Sequence, residues 1–142
     1  MDSSSSPGSP AVRWDLLILD YDGTLAESDA AVGHCLGAVL HGRGCPVPEQ
    51  AAVRANIGLS LPATFRHFAP DLDDAAVEQC VAEYRALYLV EGLPRMALYP
   101  GVAPTVRLLH DAGVRLAVVS NRGREVLVEC LRQEGLAPCL AL

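Results

Sequence analysis

Two stretches of the chain are apolar without alternation. Leu16 to Leu19 (LLIL) runs straight into Asp20-Tyr21-Asp22-Gly23-Thr24, and Arg115 to Val119 (RLAVV) runs straight into Ser120-Asn121. Continuous apolar runs of this length predict strands covered on both faces in a parallel sheet. Helical periodicity flanks the second run. In YPGVAPTVRLLHDAG, Pro100 and Gly101 open a helix, Val102, Val106 and Leu109 recur on one face, and Gly113 closes it. In GREVLVECLRQEG, Val126, Leu127, Cys130 and Leu131 share a face, with Gly135 as the stop. Helix, strand, helix around a buried strand predicts a doubly wound α/β fold.

Residues 26–98, between the two strands, have helical spacing throughout. Val32, Cys35, Leu36, Val39 and Leu40 form one stripe; Val77, Cys80, Val81, Tyr84 and Tyr88 form another, which Asp73 or Asp74 can cap. An insertion this long predicts a small second module. His34 and His41 share a helical face seven residues apart, about 10.5 Å along the axis, so one metal cannot bridge them. The opening MDSSSSPGSP has neither a basic region nor an apolar core. It predicts a flexible tail over residues 1–13.

Composition narrows the possibilities. The 142 residues carry a net charge of −6, which argues against a nucleic-acid partner. No apolar run approaches the roughly 20 residues that span a bilayer. Five scattered cysteines without a C-x-x-C pair predict free thiols in a reducing cytoplasm rather than disulfides or a zinc site. All 11 basic residues are arginine; lysine is absent.

In an open parallel sheet, ligands sit beyond the carboxyl ends of the strands. Asp20 and Asp22 follow one such end, and Ser120 and Asn121 the other. Two carboxylates two residues apart repel each other unless a cation or a hydrogen-bonding task offsets them. Asp-Gly after a strand is also an ordinary turn. The chemistry that uses the spacing is phosphoryl transfer through an aspartyl-phosphate. One carboxylate attacks phosphorus, a magnesium ion screens it, and the second carboxylate protonates the leaving oxygen and then activates water. Gly23 lets the backbone approach the phosphate, and Thr24 supplies a hydroxyl or orders the turn. A calcium loop of the EF-hand type is excluded, since Leu25 and Ala31 stand where glycine and glutamate are needed.

LLILDYDGTLAES and LAVVSNR resemble the first two signature motifs of the haloacid dehalogenase-like hydrolases. LYPGVAPTVRLLHDAGVRLAVVSN matches the lead into the second. The nearest branch is that of phosphoglycolate phosphatase and β-phosphoglucomutase, whose helical cap lies between these motifs. The likeness implies a Rossmann-like core at 14–25 and 99–142, with the cap at 26–98. It implies a Mg2+-dependent phosphatase of small phosphorylated metabolites, with Asp20 as nucleophile and metal ligand. Asp22 would be the acid/base and give the metal its backbone carbonyl, while Ser120 and Asn121 would hold phosphoryl oxygens. Arg122 falls where many relatives carry a basic residue, though a solvated helix start explains it equally. VRANIGLSLPATF resembles the cap loop that faces the substrate, which makes Arg54 a candidate contact, beside the plain reading of a surface arginine.

The family's third motif, with its lysine or arginine, and its fourth, with further acids, are not found. Arg132 falls inside a helix before the place where they would lie. The chain is therefore expected to be an N-terminal part of a phosphatase: a fragment, a truncated product or a splice form. The other reading is a non-catalytic product that acts, if at all, as a binding module.

Overall fold

The computed structural model describes residues 14–142; the tail expected at 1–13 lies outside them. Strands β1 (Leu16–Leu19) and β4 (Arg115–Val118) pair in parallel, Leu16 opposite Arg115 and Leu19 opposite Val118. The predicted adjacency is present. Beyond β4, the chain returns along its far side, where the Val118 N–H donates to the Ala141 carbonyl at 2.8 Å and the Ala141 N–H to Leu116 at 2.9 Å. β4 is thus central, and β1 is an edge among the described residues.

Alternation decides which aliphatics are covered. Leu116 and Val118 are buried, and Leu17 and Leu19 are half-buried beside them against the core. Leu16 and Ile18 point the other way and stay exposed. The expectation of cover on both faces therefore needs correction: residues 14–142 supply a layer over one face of β1 only. Helices α5 (Val102–Asp111) and α6 (Arg124–Gln133) flank β4 in sequence, as the periodicity predicted. Gly113 and Gly135 follow them in left-handed conformation.

The insertion leaves and rejoins the sheet region through two short strands, β2 (Ala26–Glu27) and β3 (Ala97–Leu98), paired antiparallel. Their two-residue length hides them from a periodicity argument. Between them stand α1 (Asp29–Gly42), α2 (Gln50–Ala55), α3 (Leu61–Phe68) and α4 (Asp74–Leu87). Asp73 caps α4, accepting the Ala76 N–H at 2.8 Å. The predicted stripes meet inside: Cys35, Leu36, Leu40, Val77, Cys80 and Tyr88 are almost fully buried, and Phe65 meets Tyr84 edge-on at 6.2 Å. After α4 the helix widens into a π turn at Tyr88–Gly92. A Cβ at Gly92 would stand 2.7 Å from the Tyr88 ring, so glycine is what lets that ring lie flat against the turn. This fixes Tyr88 where the insertion faces the end of the sheet.

Candidate active site

The turn after β1 is tight. The Tyr21 carbonyl accepts N–H groups from Leu25 at 2.9 Å and Ala26 at 3.0 Å, with Gly23 at φ +75° in the bend. Tyr21 is fully buried, so its neighbours Asp20 and Asp22 are turned outward together, and both line one cavity of about 400 Å3. Asp20 is exposed, and its Oδ1 accepts the Tyr21 N–H at 2.7 Å. At the end of β4, Ser120 and Asn121 line the same cavity. The Ser120 Oγ accepts the Arg122 N–H at 3.1 Å, so it caps the turn before α6 rather than the helix itself. Asn121 Nδ2 donates to the Gly58 carbonyl in the loop between α2 and α3, which ties the sheet end to the insertion.

Arg122 binds Asp22 across the cavity floor. Its Nε donates to Asp22 Oδ2 at 3.2 Å and its Nη2 to Oδ1, a two-pronged pair. The Arg122 side chain is only 7% exposed and that of Asp22 17%. The guanidinium lies over the Tyr88 ring at 4.6 Å and near Tyr21 at 5.5 Å. Burial works against its charge, but the bond to Asp22 more than offsets this and holds its pKa above the ordinary value. Burial pushes the Tyr88 hydroxyl up to about 12 although the nearby guanidinium pulls the other way. Both readings of Arg122 were open in the sequence; the solvated one is wrong. Its position directly after Ser120-Asn121 was the available signal.

Gly23 and Thr24 shape the turn and do not line the cavity. Arg54 does not line it either. Its Nε donates to Asp29 Oδ2 at 2.8 Å, within the insertion. The reason is local: Asp29, at the start of α1, is buried and needs a counter-charge, and one turn of α2 carries Arg54 to it. The loop that follows α2 does contribute to the roof, through Asn56, Ile57, Gly58 and Leu59. His34, by contrast, pairs with Glu91 at 2.6 Å on the outside of the insertion.

Among the described residues there is no group of three or more histidine, cysteine or acidic side chains that would hold a metal by itself. A magnesium ion commonly takes one or two carboxylates and fills its remaining positions with water and phosphate oxygens. The exposed Asp20 carboxylate fits that pattern, whereas both side-chain oxygens of Asp22 are taken up by Arg122.

The structure thus places paired carboxylates beyond one strand of a parallel-stranded α/β sheet and small polar residues beyond its neighbour. The family model for haloacid dehalogenase-like hydrolases matches residues 17–140, and the chain belongs to that family. It is 35% identical over 133 residues to the tyrosine-protein kinase PtkA of Mycobacterium tuberculosis, spanning 94% of this chain and 44% of that protein. It is 31% identical over 113 residues to the phosphoglycolate phosphatase of Pseudomonas putida, spanning 75% of this chain and 41% of that one. The chain thus spans less than half the length of these two relatives. Among solved structures, that of Mycobacterium tuberculosis PtkA superposes with a TM-score of 0.76 at 32% identity, covering 89% of this chain and 59% of that one. A haloacid dehalogenase-like hydrolase of Streptococcus pneumoniae superposes with a TM-score of 0.77 at 19% identity, covering 89% and 59%, a likeness of fold alone.

Proposed function

We propose that this site belongs to a cytoplasmic, magnesium-dependent phosphatase of small phosphorylated metabolites that works through an aspartyl-phosphate on Asp20. The observation that carries the reading is the meeting of Asp20, Asp22, Ser120 and Asn121 at one cavity, from two adjacent strands a hundred residues apart in sequence. The phosphatase relatives support hydrolysis, with water as final acceptor. PtkA is named a kinase, and its likeness is compatible with the same phosphoryl transfer to Asp20.

An Asp20 oxygen attacks phosphorus and the ester P–O bond breaks. Protonated Asp22 gives its proton to the departing oxygen, which leaves as the alcohol. As the resulting carboxylate, Asp22 then takes a proton from water, whose oxygen attacks the phosphoryl group and releases phosphate and free Asp20. Bound magnesium supplies positive charge that offsets Asp20 and the phosphate during approach. Ser120 and Asn121 orient the phosphoryl oxygens. The Arg122 fork occupies both Asp22 oxygens, so Asp22 acts as a donor only after the fork lets go. A phosphate dianion is a competing acceptor for the same guanidinium, which makes substrate arrival the trigger for that release.

The test is Asp20→Asn, which keeps shape and removes the nucleophile. Turnover should fall to background, and beryllium fluoride should no longer form its adduct. Asp22→Asn should retain the adduct and slow alkyl phosphate turnover by ~10²–10⁴. Wild-type rates in Asp20→Asn would refute the mechanism.

A further inference from the structure

The cavity has two chemically different halves. The floor, from the strand ends, holds Asp20, Asp22, Ser120, Asn121 and Arg122. The roof and walls are mostly apolar: Val32, Ile57, Leu59 and Leu61 come from the insertion, beside the rings of Tyr84 and Tyr88 and the polar Asn56, and Val119 and Val126 come from the sheet side. Leu59 is 44% exposed and Val119 65%, so apolar surface faces the space where the alcohol part of a phosphate ester would lie. Among the described residues, no acid enters the roof. Its one cation is Arg85, exposed at the rim and without an ion-pair partner among the described residues. Arg122, the other cation of the cavity, is already bound to Asp22 on the floor.

We infer that the site takes phosphate monoesters of apolar alcohols of about four or more carbons, rather than the short anionic esters that the phosphoglycolate phosphatase relatives suggest. The inference rests on the phosphatase reading of the floor. Size supports it: a cavity of about 400 Å3 falls in the ~300–1,000 Å3 range that encloses organic ligands much larger than a two-carbon acid. Chemistry supports it too. A carboxylate beside the phosphate would give up hydration against mostly apolar walls, where the roof's cation, Arg85, stands only at the exposed rim. An alkyl chain there would cover Leu59 and Val119, which water otherwise wets.

Phosphonates test this without turnover, since their P–C bond is not hydrolysed. The full chain, labelled with 15N and held in magnesium buffer, is titrated with orthovanadate, methylphosphonate, n-butylphosphonate and phosphonoacetate. Amide shifts report both affinity and place. Each buried methylene is worth roughly fourfold in affinity, so three added methylenes, partly covered, should tighten binding at least about tenfold. Butylphosphonate should therefore bind at least about tenfold tighter than methylphosphonate and shift the amides of residues 57–59. Leu59→Asn, on an exposed loop, should remove most of that gain and leave orthovanadate affinity unchanged. Equal binding of the butyl and methyl compounds would overturn the inference. So would tighter binding of phosphonoacetate that Arg85→Ala abolishes, which would assign the site to a short anionic ester. If orthovanadate itself left the amides of Ser120 and Asn121 unmoved, the phosphatase reading would fall, and this inference with it.

Discussion

Arg122 and Asp22, a hundred residues apart in sequence, clasp each other at the floor of the cavity with both side chains largely shielded from water. One comes from the end of β4 and the other from the turn after β1, so the pair fastens together the two loops that carry the candidate chemistry. Tyr88, from the insertion, covers the guanidinium. The ion pair therefore joins three parts of the chain, and it occupies both Asp22 oxygens.

Breaking that pair from one side should be costly. Removing one partner of a buried pair costs ~3–5 kcal/mol, and the partial exposure of Asp22 places Arg122→Ala toward the lower end, at about 3 kcal/mol. Replacing both, as Asp22→Leu with Arg122→Met, removes the uncompensated charge and should recover much of the loss. Urea unfolding of the two single variants and the double variant gives the coupling directly. Additive losses would show that the two side chains do not depend on each other.

The fold shows why some of the site could be read from sequence and some could not. Asp20, Asp22, Ser120 and Asn121 were legible because a strand end is a local feature, and two apolar runs ending in polar residues locate two such ends. The pairing of β1 with β4 followed from the same runs. Arg54 was misplaced because a loop's likeness to a substrate-facing segment says nothing about which neighbour claims its side chains, and the buried Asp29 claims this one. The burial of Arg122 depends on Tyr21, Asp22 and Tyr88 arriving from distant positions, a coincidence that no spacing encodes. β2 and β3 escaped notice for a simpler reason, since two residues are too few to show a period.

The Asp29–Arg54 pair predicts a response to acid. The hydrogen bond from Arg54 is the main influence that holds the Asp29 carboxyl below its ordinary range, against the opposing effect of burial. A carboxyl depressed on folding contributes stability above its unfolded pKa, about 3.9, and loses it as pH falls through the lower folded value. Arg54 is 68% exposed, so solvent screening keeps the contribution small. Urea midpoints should fall between pH 5 and pH 2.5, and the fall should be smaller in Asp29→Asn. An identical acid response in that variant would place the sensitivity elsewhere.

Turnover by these 142 residues should be weak, and their magnesium affinity low. Asp20, Asp22 and a phosphate dianion crowd one site, the sequence has no lysine, and the buried Arg122 is engaged with Asp22. A unit-charge contact at ~4 Å is worth about 4 kcal/mol at an effective dielectric of ~20. At ~1.4 kcal/mol per tenfold, one missing contact of that kind lowers the rate on the order of 10³. A generic phosphate ester assayed with and without magnesium checks this. Fast, Asp20-dependent hydrolysis would show that Arg122 supplies the missing charge after leaving Asp22.

The uncovered side of β1 predicts self-association. Leu16 and Ile18 stand 47% and 59% exposed on one face of an edge strand, with Trp14 69% exposed just before them. The strand's outer row of N–H and C=O groups has no neighbour among the described residues. An apolar face beside an unpaired edge is a template for pairing with another chain, and two copies of β1 meeting edge to edge are the simplest such pairing. The net charge of −6 opposes association at a distance, but added salt screens it within ~10 Å at 0.1 M while leaving the apolar contact intact. Sedimentation velocity should therefore show larger species that grow with protein concentration and with salt. Ile18→Lys places a charge on the exposed face without disturbing Leu17 or Leu19, which pack inward, and should restore the monomer. The sign of the salt response separates this contact from one held by ion pairs, which salt would weaken. A wild-type chain that stays monomeric at high concentration and high salt would show that the edge is protected.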